Sequence, residues 1–244
     1  MKAEVKKDKN MNEEEILSMF KNGVHFGHRE SKWYPKMAKY IHTSRNGIHI
    51  IDLEKTAAKL KEAVDFVQKV TKQNGLVLFV GTKRQARDIV KKYAQSVKMP
   101  YIIERWIGGV LTNFSVVSKL IKKFTQMKEQ DKRGEFKKYT KKEQVDFQKE
   151  IQRLDKLIGG LEGMDRLPQA LFVVDIGYEK TAIREAKRKG IPIVAMVDTN
   201  NNPDLAQYPI PANDDATKSI DFITNVIAES IKKGQEKTEE KKEA

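Results

Sequence analysis

The sequence predicts an α/β protein, a doubly wound parallel sheet interrupted by an antiparallel helical hairpin, on three observations. Short, bounded apolar runs alternate with amphipathic stretches of helical period along most of the 244 residues, the pattern of strands buried between helical layers. The alternation stops between about residues 112 and 159, where two long charged stretches each carry one narrow apolar stripe. Hydrophobic residues make up 39% of the chain, enough for a sizeable core, yet no apolar run approaches the roughly 18–20 residues of a membrane helix.

Each element follows from its local pattern. Residues 1–10 are lysine-rich and polar and are expected to be disordered. Asn12, then Glu13, Glu14 and Glu15, then Ile16, Leu17, Met19 and Phe20, read as an N-capped amphipathic helix ending at Gly23. Residues 24–39 read as a loop rich in aromatics and cations, and 40–52 as a hairpin turning at Asn46-Gly47. A helix over 53–72 carries Leu60, Val64 and Val67 on one stripe, and the apolar run 76–80 is a buried strand. Gly81-Thr82 then feeds a helix from 83 to about 97, followed by a short strand at 101–103. Two more buried strands at 170–176 and 193–197 enclose a helix at 179–189, and residues 214–233 form a closing helix.

Inside this frame, Val116, Leu120, Phe124 and Met127 mark one helix over 112–130. Val145, Phe147, Ile151, Leu154 and Ile158 mark a second over 141–158, and a polar turn containing Gly134 joins the two. The chain thus divides into a basic N-terminus (1–10), an α/β domain built from 11–111 and 160–231, an inserted arm (112–159) and a disordered Lys/Glu tail (232–244).

The formal charge of +13 is unevenly spread: residues 1–111 hold 22 basic and 12 acidic side chains and 112–158 hold 13 and 7, whereas 170–230 hold 6 and 9. Segregated positive charge points to a polyanionic partner. Zero cysteines exclude disulfides, thiolate metal sites and cysteine nucleophiles. The start, MKAEVKKDKNMNEEE, lacks the apolar core of a signal peptide, so the expectation is a cytoplasmic protein without a membrane partner.

Catalytic signatures fail one by one. There is no G-x-S-x-G nucleophile elbow. A phosphate loop needs glycine directly before the lysine and another five residues earlier, where this chain has Thr82 and Val77. Gly159, Gly160 and Gly163 have the wrong spacing for a dinucleotide fold and follow a helix. Asp175, Asp198, Asp214 and Asp215 fall at strand ends or helix starts, where they serve as turn and capping residues or gather around a divalent cation, the first being the favoured reading. His25 and His28, three apart, have a separation open to zinc, but RNA contact or a structural hydrogen bond suits them better. No catalytic residue, metal or cofactor is expected.

Three segments do carry chemistry. Residues 23–39, GVHFGHRESKWYPKMAK, interleave rings with cations, a combination that neutralises phosphate while stacking on unpaired bases. Thr82-Lys83-Arg84-Gln85-Ala86-Arg87 crowds three cations at a helix start, where they disfavour the helix and so point to an external phosphate. Arg105-Trp106-Ile107-Gly108-Gly109 leads to Asn113, read as the cap of the arm's first helix.

Together, GVHFGH (23–28), PKM (35–37), RNGIHIIDLEKT (45–56), FVGTKRQA (79–86), RWIGGVLTNF (105–114), GIPIVAMVDTN (190–200) and IPANDDA (210–216) resemble the second protein of the small ribosomal subunit in its bacterial form. The resemblance implies a flavodoxin-like domain with a coiled-coil hairpin. It also implies 16S rRNA as partner, a place between head and body near the mRNA exit region, and contacts with neighbouring ribosomal proteins, including the large mRNA-binding one. On this reading Lys32, Lys36, Arg45, Lys83, Arg84, Arg87 and Arg105 neutralise phosphates, and His25, His28 and Trp33 pack on ribose or bases. Lys119, Lys122, Lys123, Lys137, Lys138 and Lys141 anchor the arm. Reversing the charge at Lys83, Arg84 and Arg87 together is then expected to abolish subunit incorporation while leaving thermal stability nearly unchanged. The competing reading is a flavodoxin-like enzyme or sensor that binds a phosphorylated small molecule through Thr82, Asp175 and Asp198; a third is a free-standing regulator of RNA.

Overall fold

The computed structural model describes residues 13–243, with side chains to residue 236. The expected disorder of 1–10 and the Asn12 cap lie outside these residues. Helix α1 covers 13–21 and buries Met19.

Five parallel strands, β4 (Val77–Val80), β5 (Tyr101–Ile102), β6 (Ala170–Val173), β7 (Ile193–Val197) and β8 (Tyr208–Pro211), form one sheet in the order β5-β4-β6-β7-β8. Successive side chains of a strand point to opposite faces, so a fully apolar run feeds two cores at once. Val77, Phe79, Ala170 and Phe172 pack against Leu60, Ala63 and Val67 of α2 (Leu53–Thr71), Val90 and Ala94 of α3 (Arg87–Ser96), and Ile220, Ile223, Ile227 and Ile231 of α7 (Thr217–Glu243). Leu78, Val80, Leu171 and Val173 face the other way, onto Ala182, Ile183 and Ala186 of α6 (Lys180–Lys189) and onto the base of the arm. This is the expected doubly wound arrangement.

A second, antiparallel sheet of order β1-β3-β2 joins β1 (Phe26–Arg29), β2 (Ile41–Arg45) and β3 (Ile48–Ile51). Its hairpin turns at Asn46 (φ 54°) and Gly47 (φ 74°), the doubly positive pair of a type I′ turn. Part of the expected 24–39 loop is therefore strand β1, bulged where it meets β3.

The arm consists of α4 (Phe114–Lys132) and α5 (Lys141–Ile158), the latter opened by a reciprocal Thr140–Glu143 capping box. Val117, Ile121 and Phe124 are its buried residues on α4; of the expected stripe Phe124 is buried and Leu120 and Met127 pack partly buried against the core, whereas Val116 is 57% exposed, so the seam is wider than expected and leaves Val116 outside. The cause is that the base of α4 must meet the sheet as well as α5. At the tip, Phe136 stacks on Phe147 (4.6 Å between ring centroids) and Tyr139 meets Phe147 edge-on.

Three boundaries move. Residues 83–86 are turn rather than helix, with Ala86 N donating to Lys83 O, so α3 begins at Arg87. Helix α7 begins at Thr217 because the Asn213 side chain accepts from the Asp215 and Ala216 amides and closes a turn first. It runs on to Glu243, through the segment expected to be a disordered tail, and Gln235 Nε2 donates to Val97 O at 3.0 Å. Asn113 stands at the N-cap of α4 but makes no side-chain capping bond.

Candidate functional site: an internal acidic cluster beside an exposed basic surface

The carboxyl ends of parallel strands are where α/β sheets bring chemistry together. Here Lys83 follows β4, Asp175 follows β6, Asp198 and Thr199 follow β7, and Asp214 and Asp215 lie beyond β8. Asp175 takes a φ of 65°, a region few side chains adopt, and its Oδ1 accepts from the Gly177 and Tyr178 amides at 2.9 and 3.0 Å.

Lys83, 14% exposed, turns inward. Its Nζ lies 3.0 Å from Asp175, 2.9 Å from Asp214 and 2.6 Å from Asp215. Burial by itself lowers the lysine pKa, but the surrounding carboxylates, Asp214 foremost, outweigh it and raise it. His28 is drawn into the same cluster: Nδ1 lies 3.0 Å from Asp198 and Nε2 3.4 Å from Asp215, and its backbone amide donates to Thr199 Oγ1. The Asp198 hydrogen bond, with nearby carboxylates adding to it, raises the histidine pKa against the effect of burial. Asp214 is fully buried, and burial together with the charges of Asp175 and Asp198 pushes its carboxyl up to about 8.

These contacts bear on three of the expected assignments. Lys83 and His28 are paired with internal carboxylates rather than presented outward. His25 is buried between Phe20 and Phe26, its ring centroid 4.5 and 4.1 Å from theirs, and burial lowers its pKa. The two histidines therefore have separate partners, His25 the rings of Phe20 and Phe26 and His28 the carboxylates of Asp198 and Asp215. The acids do gather as the divalent-cation reading required: ligand atoms of His28, Asp198 and Asp214 lie within 4.8 Å of one another, and Asp214 Oδ2 is buried without a hydrogen-bond partner. These three residues could hold a cation, with Lys83 already neutralising the other Asp214 oxygen.

The small-molecule reading meets a direct obstacle. Where a phosphate would use the amide and hydroxyl of Thr82, the Glu179 carboxylate already accepts from both, at 2.7 and 2.6 Å. Glu179 is 4% exposed, and burial raises its pKa. Neither Glu179 nor Thr199 stood out in the sequence; the one available signal was an acid beside the apolar stripe of α6.

The remaining cations point outward. Lys32, Arg45, Arg84 and Arg105 are exposed and, among the described residues, form no ion pair. Trp33 is 42% exposed beside the His49 ring. Lys36 is exposed but paired with Asp204 at 2.6 Å, and Arg87 is held by Glu104 at 2.9 Å and by the Thr82 carbonyl at 3.0 Å. On the arm, Lys119, Lys122 and Lys123 lie on exposed positions of α4, and Lys137, Lys138 and Lys141 surround the tip, where Lys138 sits over the Tyr139 ring.

Residues 19–234 match the family model described as Ribosomal protein S2. Three curated relatives, each named small ribosomal subunit protein uS2, are similar over nearly the whole chain. That of Fusobacterium nucleatum is 46% identical over 91% of this chain and 90% of its own length. That of Dehalococcoides mccartyi is 48% identical over 90% of each. That of Parabacteroides distasonis is 50% identical over 91% of this chain and 80% of its own length.

Proposed function

The chain belongs to the ribosomal protein S2 family, and from that premise we propose that, within the small ribosomal subunit, it binds 16S rRNA between head and body near the mRNA exit region. It acts there as a structural constituent and not as an enzyme. The observation that carries this reading is the separation of two sets of charge. Acids at the carboxyl edge are paired from within by Lys83 and His28, so these two cations are not spare for a small phosphorylated ligand. Lys32, Arg45, Arg84, Arg105 and the arm lysines Lys119, Lys122, Lys123, Lys137, Lys138 and Lys141 remain outside and, among the described residues, form no ion pair, which leaves them available to a large polyanion. Trp33 is an exposed ring among the outward cations, suited to stacking on a base or ribose. Neighbouring small-subunit proteins, including the large mRNA-binding one, are the further partners.

Sedimentation of lysate through sucrose gradients at low and high salt tests this directly. Migration with the small subunit through moderate salt is the expected result. A chain that stays at the top of both gradients contradicts the reading and favours a free regulator.

A further inference from the structure

Five hydrogen-bond donors from residues 106–112, the segment linking β5 to the arm, converge on a single carboxylate. Glu185 lies on the buried face of α6 and is 6% exposed. Its Oε1 accepts from the Trp106 indole at 3.0 Å and the Gly109 amide at 2.7 Å. Its Oε2 accepts from the Leu111 amide at 3.0 Å and from the amide and hydroxyl of Thr112, each at 3.1 Å. Gly109 reaches this geometry through a φ of +98°, open to glycine and disfavoured for other residues. Burial would raise the Glu185 pKa, yet the donors hold it below the usual carboxylate value. Such a set of donors is an anion nest, here filled by the chain's own side chain.

The location gives the nest a consequence. Asn113 leaves α4 without a side-chain cap, so Glu185 supplies the negative charge next to the helix start, where the macrodipole favours it. Arg105 immediately precedes the clamped segment, and the arm immediately follows it.

We propose that Glu185 is a positioning residue which, by gripping the 106–112 nest, fixes Arg105 and the root of the α4–α5 arm against the α/β body so that both meet rRNA together. The proposal rests on the rRNA-binding reading above, but its physical half is separately measurable. Because the chain has no cysteine, Lys61→Cys on α2 and Lys142→Cys on α5 provide unique spin labels at two exposed positions. Glu185→Gln keeps the side-chain shape but sets an amide donor against donors.

The expected result is a broadened label-to-label distance distribution and exchange at the Gly109, Leu111 and Thr112 amides faster by about tenfold or more. Incorporation into small subunits falls alongside. Ile223→Ala, which loosens the opposite core layer, leaves the distribution unchanged, separating positioning from plain loss of stability. If Glu185→Gln does not fold, the Trp106→Phe, Thr112→Val double variant, which removes two donors and keeps the charge, must show the same broadening. Wild-type distances and exchange in the folded variant overturn the proposal. Failure of the unaltered chain to enter small subunits overturns the rRNA-binding reading instead.

Discussion

Replacing Lys83 by methionine removes the ammonium shared by Asp175, Asp214 and Asp215 and leaves buried carboxylates facing one another. Breaking a buried ion pair from one side costs about 3–5 kcal/mol, and urea unfolding of Lys83→Met should register a loss of that order. Arg84→Gln, one residue along but exposed and without an acidic partner, should stay within about 0.5 kcal/mol of wild type. The expectation that Lys83, Arg84 and Arg87 can be reversed together without affecting stability is therefore not retained. Nothing in the spacing of TKRQAR distinguishes an inward lysine from an outward arginine, because the acids that capture Lys83 come from distant segments.

The same cluster sets a pH dependence. Asp214 has its folded pKa raised to about 8, above the unfolded value of roughly 3.9, so the folded state binds the extra proton. Its favourable contribution is complete below the unfolded value and is lost as pH rises through about 8. His28, also raised, acts in the same sense above its ordinary range. Glu185, lowered by its donors, acts oppositely and loses its contribution on acidification. The urea midpoint should thus fall between about pH 5 and about pH 8, and Asp214→Asn, which mimics the neutral carboxyl, should flatten that fall. An undiminished slope in Asp214→Asn would contradict the assignment.

At the scale of elements, Gly160, just after α5, has a packing role. A Cβ at Gly160 would run into the carbonyl oxygen and ring of Tyr101 on β5, whereas one at Gly108 would meet nothing within 4 Å. Gly160→Ala should cost about 1–3 kcal/mol and Gly108→Ala far less, as read from thermal unfolding. The hairpin, the buried runs 76–80 and 193–197 and the arm were legible because each carries its own periodicity or turn dipeptide. Strand β1 was not: FGHR has no alternation of its own and becomes a strand by pairing with β3. Strand β8 contains Pro209 and Pro211 and is tolerated only because it sits at a sheet edge, paired with β7 alone. The seam of α4 was legible at Leu120, Phe124 and Met127 but not at Val117 and Ile121, which join the same core cluster as the sheet residues. The exposed members of the candidate site could be chosen by residue type, but its inward members depend on tertiary contacts that sequence order does not encode.

At the scale of the whole molecule, a net charge of +13 is divided into cations that hold the fold and cations that face outward, and only the second kind is expected to meet rRNA. Each neutralised phosphate releases counterions, so the logarithm of affinity falls linearly with the logarithm of salt. The most direct measurement is that slope for binding to small subunits depleted of this protein, compared between the unaltered chain and a variant with Lys32, Arg45, Arg84 and Arg105 changed to glutamine. The predicted result is a folded variant whose slope is shallower by about 0.7–0.9 for each phosphate no longer neutralised. A folded variant that binds with the unaltered slope would contradict this division of charge, because those four side chains would then touch no phosphate.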